Sequence, residues 1–147
     1  MPVVAALPNR SYILAYEQCG TDGCRVRYRL SADPLAFSSA PDYALVSDKG
    51  TRPVSSPYVV WTSAGGANGS IVVSGGSSSA VFVNKDLGVP GSVWTELSTP
   101  QPRAYTRALL VYRDNPDFIG IIGAGWLPPS STNYVSNSVV SLAQIGG

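Results

Sequence analysis

Short runs of β-branched, aliphatic and aromatic residues come round three times along this chain of 147 residues, each run closed by Gly, Pro, Asn or Asp. The first set reads Val3–Leu7, Ser11–Glu17, Cys24–Leu30 and Tyr43–Ser47; the second reads Ser56–Trp61, Ser70–Ser74, Ala80–Asn84 and Val93–Leu97. The third reads Tyr105–Tyr112, Phe118–Gly123 and Tyr134–Leu142. Runs of this length and composition are strands, and a unit of three or four strands repeating every ~50 residues is the mark of a β-propeller array. The expected fold is therefore all-β, a single partial propeller domain over 1–147 with approximate blades 2–48, 50–98 and 100–147. With 15 glycines, 12 prolines and 13% charged residues, the composition is one of turns and strands rather than helices. Three blades do not close a ring, since propellers use about four to eight. Three outcomes stay open: a piece of a longer protein, a half-propeller completed by dimerisation, or a shortened relative that has lost catalysis.

The remaining composition excludes whole classes of chemistry. A net charge of +1 gives no footprint for nucleic acid or an anionic membrane. No apolar stretch approaches the roughly 18 residues of a spanning helix. The first residues, Met1-Pro-Val-Val-Ala-Ala-Leu-Pro8, lack the basic head and long apolar centre of a signal peptide, so the protein is either intracellular or has its signal outside this sequence. A paired Cys19 and Cys24 would favour the second, an extracellular protein. The absence of histidine removes Ser-His-Asp triads, Cys-His dyads and the common zinc sites, so neither a metal nor a cofactor is expected. Carboxylates and tyrosines are left for acid-base work.

The hairpin over Ser11–Phe37 holds the most informative residues. Cys19 and Cys24 bracket its turn, and directly opposed residues of an antiparallel pair lie at about the separation a disulfide needs. The alternative is two inert buried thiols. If the two cysteines are opposite, Glu17 pairs with Val26 and shares a face with Ile13, Ala15, Tyr28 and Leu30. A carboxyl at the rim of that apolar face is partly desolvated, an environment suited to a general acid. The other face carries Tyr12, Leu14, Tyr16, Arg25, Arg27 and Arg29. The competing reading of Glu17 is a strand-end carboxylate, solvated or paired with one of those arginines.

Two further clusters enter the first strands of the later blades, where a propeller faces its central channel. Arg52 and Tyr58, with Ser55 and Ser56, open the second blade; Arg103, Tyr105 and Arg107 open the third. Either cluster could hold the polar groups of a ligand in that channel, or for Arg52 simply a salt bridge with Asp48. Trp61 and Trp126 offer faces for a ligand ring to stack on, although an aromatic in a blade is more often core. Asn84-Lys-Asp86-Leu-Gly88 followed by Trp94 looks like a degenerate Asp-box, the S-x-D-x-G-x-x-W turn between the outer strands of sialidase-type blades. Ser31, Asp33 and Phe37 look like a more worn copy. In such a turn a short carboxylate accepts turn amides, Gly supplies positive φ and the aromatic packs beneath. Asp33, Asp86 and Trp94 are accordingly structural.

Met1-Pro-Val-Val with Leu7-Pro-Asn9, Tyr12-Ile-Leu-Ala-Tyr-Glu17, Gly50-Thr-Arg-Pro-Val-Ser-Ser-Pro-Tyr-Val-Val-Trp61 and Asn68-Gly69 together carry a resemblance to glycoside hydrolase family 93, the fungal exo-arabinanases with a sialidase-like propeller. The resemblance spans nearly all of this chain and about half of the family's six-bladed domain. It implies retaining hydrolysis of terminal sugars from a polysaccharide such as arabinan, by two carboxylates from different blades. Glu17 looks like the acid/base, and no residue here matches the nucleophile. The implied partner is a carbohydrate, with a homodimer as the route to a complete ring. The reading of the residues alone keeps a non-catalytic carbohydrate-binding or interaction module open beside the enzyme.

Overall fold

The computed structural model describes residues 2–76, 79–101, 106–126 and 133–144. Its strands form three antiparallel sheets. The first has the order β1 (Val3–Ala6), β2 (Tyr12–Gly20), β3 (Gly23–Ser31), β4 (Asp42–Ala44). The second has the order β5 (Tyr58–Thr62), β6 (Ser70–Ser74), β7 (Ala80–Asn84), β8 (Thr95–Ser98), and the third the order β9 (Thr106–Val111), β10 (Phe118–Trp126), β11 (Asn133–Ser141). Each sheet is a meander whose neighbours in space are neighbours in sequence. β5 lies against both β1 and β9, so the first strands of the three sheets are adjacent at one edge and the sheets fan outward from it. This is a partial β-propeller.

Strand parity decides which faces meet. Ile13, Ala15, Val26 and Tyr28 of the first sheet pack against Val59, Ile71, Val73 and Phe82 of the second, forming one buried cluster. The opposite face of the second sheet presents Val72, Val81 and Val83 to Leu109, Ile119, Ile121 and Val140 of the third. The second sheet is covered on both sides, which is why β6 and β7 are buried at every position and read as continuous apolar runs instead of alternating ones. Burying a Val, Ile or Phe side chain contributes about 1.5–3 kcal/mol each, so these two clusters supply most of what holds the fan together.

Two turns show how local chemistry sets the layout. In the β5–β6 connection Gly69 has φ +65°, and a Cβ there would lie 2.6 Å from the Trp61 ring and 2.2 Å from the Thr62 carbonyl oxygen, so only glycine fits. Trp61 Nε1 donates to the Asn68 carbonyl at 3.0 Å, and its ring leans on the first cluster. After β7, Asn84 Oδ1 accepts from the amides of Asp86 and Gly88, both at 2.9 Å, and Asn84 Nδ2 donates to Ser92 Oγ at 2.7 Å. The acceptor that closes this turn is thus the Asn84 carboxamide; the Asp86 carboxylate has no hydrogen-bond partner among the described residues. After β3 the roles are shared, with Ser31 Oγ accepting from Asp33 N at 3.1 Å and Asp33 Oδ1 from Leu35 N at 2.9 Å. The outer strands are also shorter than their composition suggests. β4 stops at Ala44 because Leu45 turns inward to become buried, and Ser47 then forms a lone parallel bridge to Trp94.

Candidate functional site

The hairpin of β2 and β3 places Glu17. Its two-residue turn, Thr21-Asp22, puts Gly20 opposite Gly23, Cys19 opposite Cys24, and Glu17 opposite Val26. Cys19 and Cys24 are joined as a disulfide with their Cα atoms 4.0 Å apart, which pins that register. Glu17 therefore extends from the face that holds Ile13, Ala15, Val26 and Tyr28, all nearly fully buried, and is itself half-buried at the end of the row.

Its contacts separate the two readings of this carboxylate. Glu17 Oε2 accepts from the amide of Ser56 at 3.4 Å, and Oε1 lies 3.5 Å from Cys19 Sγ. A disulfide sulfur carries no proton, so the second contact is packing and only the first a hydrogen bond. The same disulfide leaves Cys19 and Cys24 with no thiolate for a metal, although their sulfurs and the carboxylate lie within 4.8 Å of one another. The arginines are engaged elsewhere. Arg27 forms an ion pair with Asp42 at 2.5 Å, and Arg29 lies 3.8 Å from the same carboxylate. Arg25 donates to the carbonyl of its neighbour Cys24 at 2.6 Å. Among the described residues, no ion pair involves Glu17, which leaves its carboxyl available at the rim.

The loop carrying Ser56 was beyond the reach of parity arguments. Val26 N donates to the Pro53 carbonyl at 2.8 Å and Gly76 N to the Ser55 carbonyl at 2.6 Å, so residues 53–56 are strapped between the first and second sheets beside Glu17. Ser56 adopts φ 45°, a conformation that turns its amide to the carboxylate. The flanking Pro53 and Pro57 were the only signal of a fixed path. A second unforeseen feature is the network on the opposite face of the hairpin. The Tyr16 hydroxyl donates to Asp42, Arg29 Nε donates to Tyr16 at 3.3 Å, and the Arg29 guanidinium stands 5.6 Å from the Tyr16 ring centre. Burial first, then the hydrogen bond to Asp42, push the Tyr16 phenol above its usual value, with Arg29 partly offsetting them. A shallow groove of about 300 Å³ is lined by Pro2, Leu14, Tyr16, Glu17, Arg29, Phe37 and Ser38.

The comparison with solved structures supplies the context for that carboxylate. The chain matches the GH93 α-L-arabinofuranosidase of Fusarium graminearum, solved with arabinobiose, at 48% identity and a TM-score of 0.89, covering 98% of this chain and 42% of that one. The chain is a half-length GH93-like domain. A mutant of the Fusarium enzyme bound to an iminosugar inhibitor matches at 46% identity and a TM-score of 0.88, with the same coverage of each chain. The Penicillium chrysogenum α-L-arabinanase solved with arabinobiose matches at 43% identity and a TM-score of 0.88, over 98% of this chain and 42% of that one. No protein-family model and no curated protein matches the sequence.

The other expected sugar contacts of this GH93-like chain are not gathered around Glu17 to the same degree. Arg52 is exposed near the start of the strap, and among the described residues it forms no ion pair with Asp48, whose carboxylate instead accepts from Glu96 N at 2.9 Å. Tyr58 is half-buried against the cluster between the second and third sheets. Arg107 lies on β9 opposite Gly123 in register. Arg103 and Tyr105 lie outside the described residues. Trp94 is buried with its ring edge-on to Tyr28 at 5.3 Å between centres, inside the interface of the first two sheets. No helix among the described residues is long and apolar enough to cross a membrane.

Proposed function

We propose that this chain acts on terminal sugars of an arabinan-type polysaccharide as part of a GH93-type propeller, with Glu17 as the general acid/base. The observation that carries the reading is the match over 98% of the chain, at 48% identity, to an arabinofuranosidase solved with arabinobiose. The setting of Glu17 supports it: a half-buried carboxyl at the end of an apolar row, held by one backbone amide and by no cation among the described residues. In a retaining mechanism such a group protonates the departing glycosidic oxygen and afterwards takes the proton of the attacking water, while a second carboxylate about 5 Å away forms the covalent intermediate. Arg52, Tyr58, Arg103, Tyr105 and Arg107 are the residues proposed to hold sugar hydroxyls. Asp33, Asp86 and Trp94 belong to Asp-box-like turns and to the core, outside the sugar site. The Cys19–Cys24 bridge supports an extracellular setting, because disulfides persist in oxidising compartments.

The test is release of arabinose from linear arabinan by the purified chain beside Glu17→Gln. Loss of a general acid/base costs about 10²–10⁴-fold in rate, so the variant should fall to the background. Equal release from both proteins overturns the assignment of Glu17. One fact favours a second reading: the chain spans about 42% of the neighbours' length, and the nucleophile is expected from another blade. The second reading is a carbohydrate-binding module without turnover, and it predicts arabino-oligosaccharide binding by calorimetry with no arabinose released by either protein.

A further inference from the structure

Among the described residues, the two outer faces of the fan have no sheet packed on them. On the third sheet, the face turned away from the core carries Leu110, Ile122, Val135 and Val139, with the ring of Tyr112 lying over Gly120. Leu110 is 52% exposed, Val135 74% and Val139 45%. This is the side of the sheet that corresponds to Val72, Val81 and Val83 in the second sheet, where the same kind of aliphatic surface is fully buried against the next blade. It continues, one blade further on, an interface that the molecule has already built twice.

The outer face of the first sheet is a match of a different kind. Val4, Ala6, Leu14 and Tyr16 lie on it with Arg27, Arg29 and Asp42. Asp42 takes Arg27 and the Tyr16 hydroxyl, Arg29 donates to the carbonyls of Phe37 and Ser38 at 2.9 and 3.1 Å, and Arg25, exposed beside the hairpin turn, donates to the Cys24 carbonyl at 2.6 Å. The arginines away from the turn therefore keep their partners when the face is covered, and what it presents outward is a tyrosine ring, a guanidinium plane and short aliphatics, the composition of protein interfaces.

We infer that the outer face of the third sheet docks on the outer face of the first sheet of a second copy. The two-fold operation repeats the contact, giving a closed ring of two half-propellers. Strands spaced about 4.8 Å apart at about 3.3 Å per residue give a three-stranded face roughly 400 Å², so two contacts bury about 800 Å² per partner, the size of a stable interface. The partner's third sheet then walls the side of the groove lined by Leu14, Tyr16 and Arg29, which is open in the single chain; only its use in sugar binding rests on the arabinan reading.

The experiment is sedimentation of the 147-residue chain with three single variants. Val4→Asp spoils the first-sheet face, Val135→Asp spoils the third-sheet face, and Leu35→Asp, 91% exposed and on neither face, is the control. The wild type and the control should sediment at twice the 15.4 kDa monomer mass. Each face variant should sediment at the monomer mass. An equimolar mixture of Val4→Asp with Val135→Asp should regain dimer, because one of its two contacts unites intact faces. A monomeric wild type overturns the inference. So does a Val4→Asp protein that stays dimeric, which would mean that the third sheets pair with each other. Arabinose release plays no part in this readout, so failure here and failure of the Glu17 assignment are told apart.

Discussion

Tyr28 does at the level of one residue what the first interface does at the level of two sheets. Its ring is 3% exposed, stands 5.3 Å from both Tyr43 and Trp94, and its hydroxyl donates to the Gly88 carbonyl of the second sheet at 3.0 Å. Burial first pushes its ionisation above the usual 10.0; Trp94 lowers it and Tyr43 raises it by smaller effects. Trp94 Nε1 has no partner of proper hydrogen-bond geometry, so its influence on the phenol is one of proximity. Because the folded state holds the proton more tightly than the unfolded chain, this stabilisation is complete below pH 10 and is lost as pH rises through the folded-state value. Tyr28→Phe should cost about 1 kcal/mol at neutral pH, the net worth of one hydrogen bond. Urea titrations should also show a shallower loss of stability above pH 10 in the variant than in the wild type. An unchanged alkaline slope would assign that loss to other groups, Tyr16 first among them.

At the scale of elements, the hairpin of β2 and β3 was legible because its alternation is strict and its two cysteines fix the register; Glu17 facing Val26 followed from counting by twos. β6 and β7 were legible as uninterrupted apolar runs. The Ser56 contact was not, since it depends on a positive φ and on a strap spanning residues with no periodicity. Nor was the Tyr16–Asp42 network, because the third strand's arginines gave no hint that one carboxylate 13 residues beyond Arg29 would meet them both. The turn after β7 was legible in position and misleading in detail. Its residues suggested a carboxylate as the acceptor of turn amides, and the structure gives that role to Asn84. Asn84→Ala should therefore destabilise by about 2–3 kcal/mol, since it leaves two turn amides without their acceptor, while Asp86→Ala stays within about 0.5 kcal/mol. Denaturant midpoints of the two variants check the contrast, and comparable losses would return the role to Asp86. Breaking the hairpin's own bridge is a separate effect. The disulfide closes a loop of only five residues' separation, so Cys19→Ala/Cys24→Ala should cost about 2 kcal/mol, less than a bridge across a long loop.

For the molecule as a whole, each sheet touches only its neighbours, so stability should divide into blades and the interfaces between them, as in other open arrays. The third sheet is the weakest member by this logic: it has three strands among the described residues, one uncovered face, and a single packed interface. Gln101, 1% exposed, follows β8 and is its clasp. Its side chain donates to Ser136 Oγ at 2.7 Å and accepts from Ser138 Oγ at 2.8 Å, tying the exit of the second sheet to the outermost strand of the third. Thr62 Oγ1 adds a bond from the second sheet to the Pro116 carbonyl at 2.8 Å, in the turn between β9 and β10. Gln101→Ala removes two hydrogen bonds whose serine partners are half-exposed and can turn to water, so the loss should be about 1–2 kcal/mol and local. Amide exchange should therefore speed up in β11 and leave β2 and β3 at wild-type protection. Uniform acceleration in all three sheets would show instead that the fan unfolds as one cooperative unit, and that the interface formed by Val72, Val81, Ile119 and Ile121 is as strong as the sheets it joins.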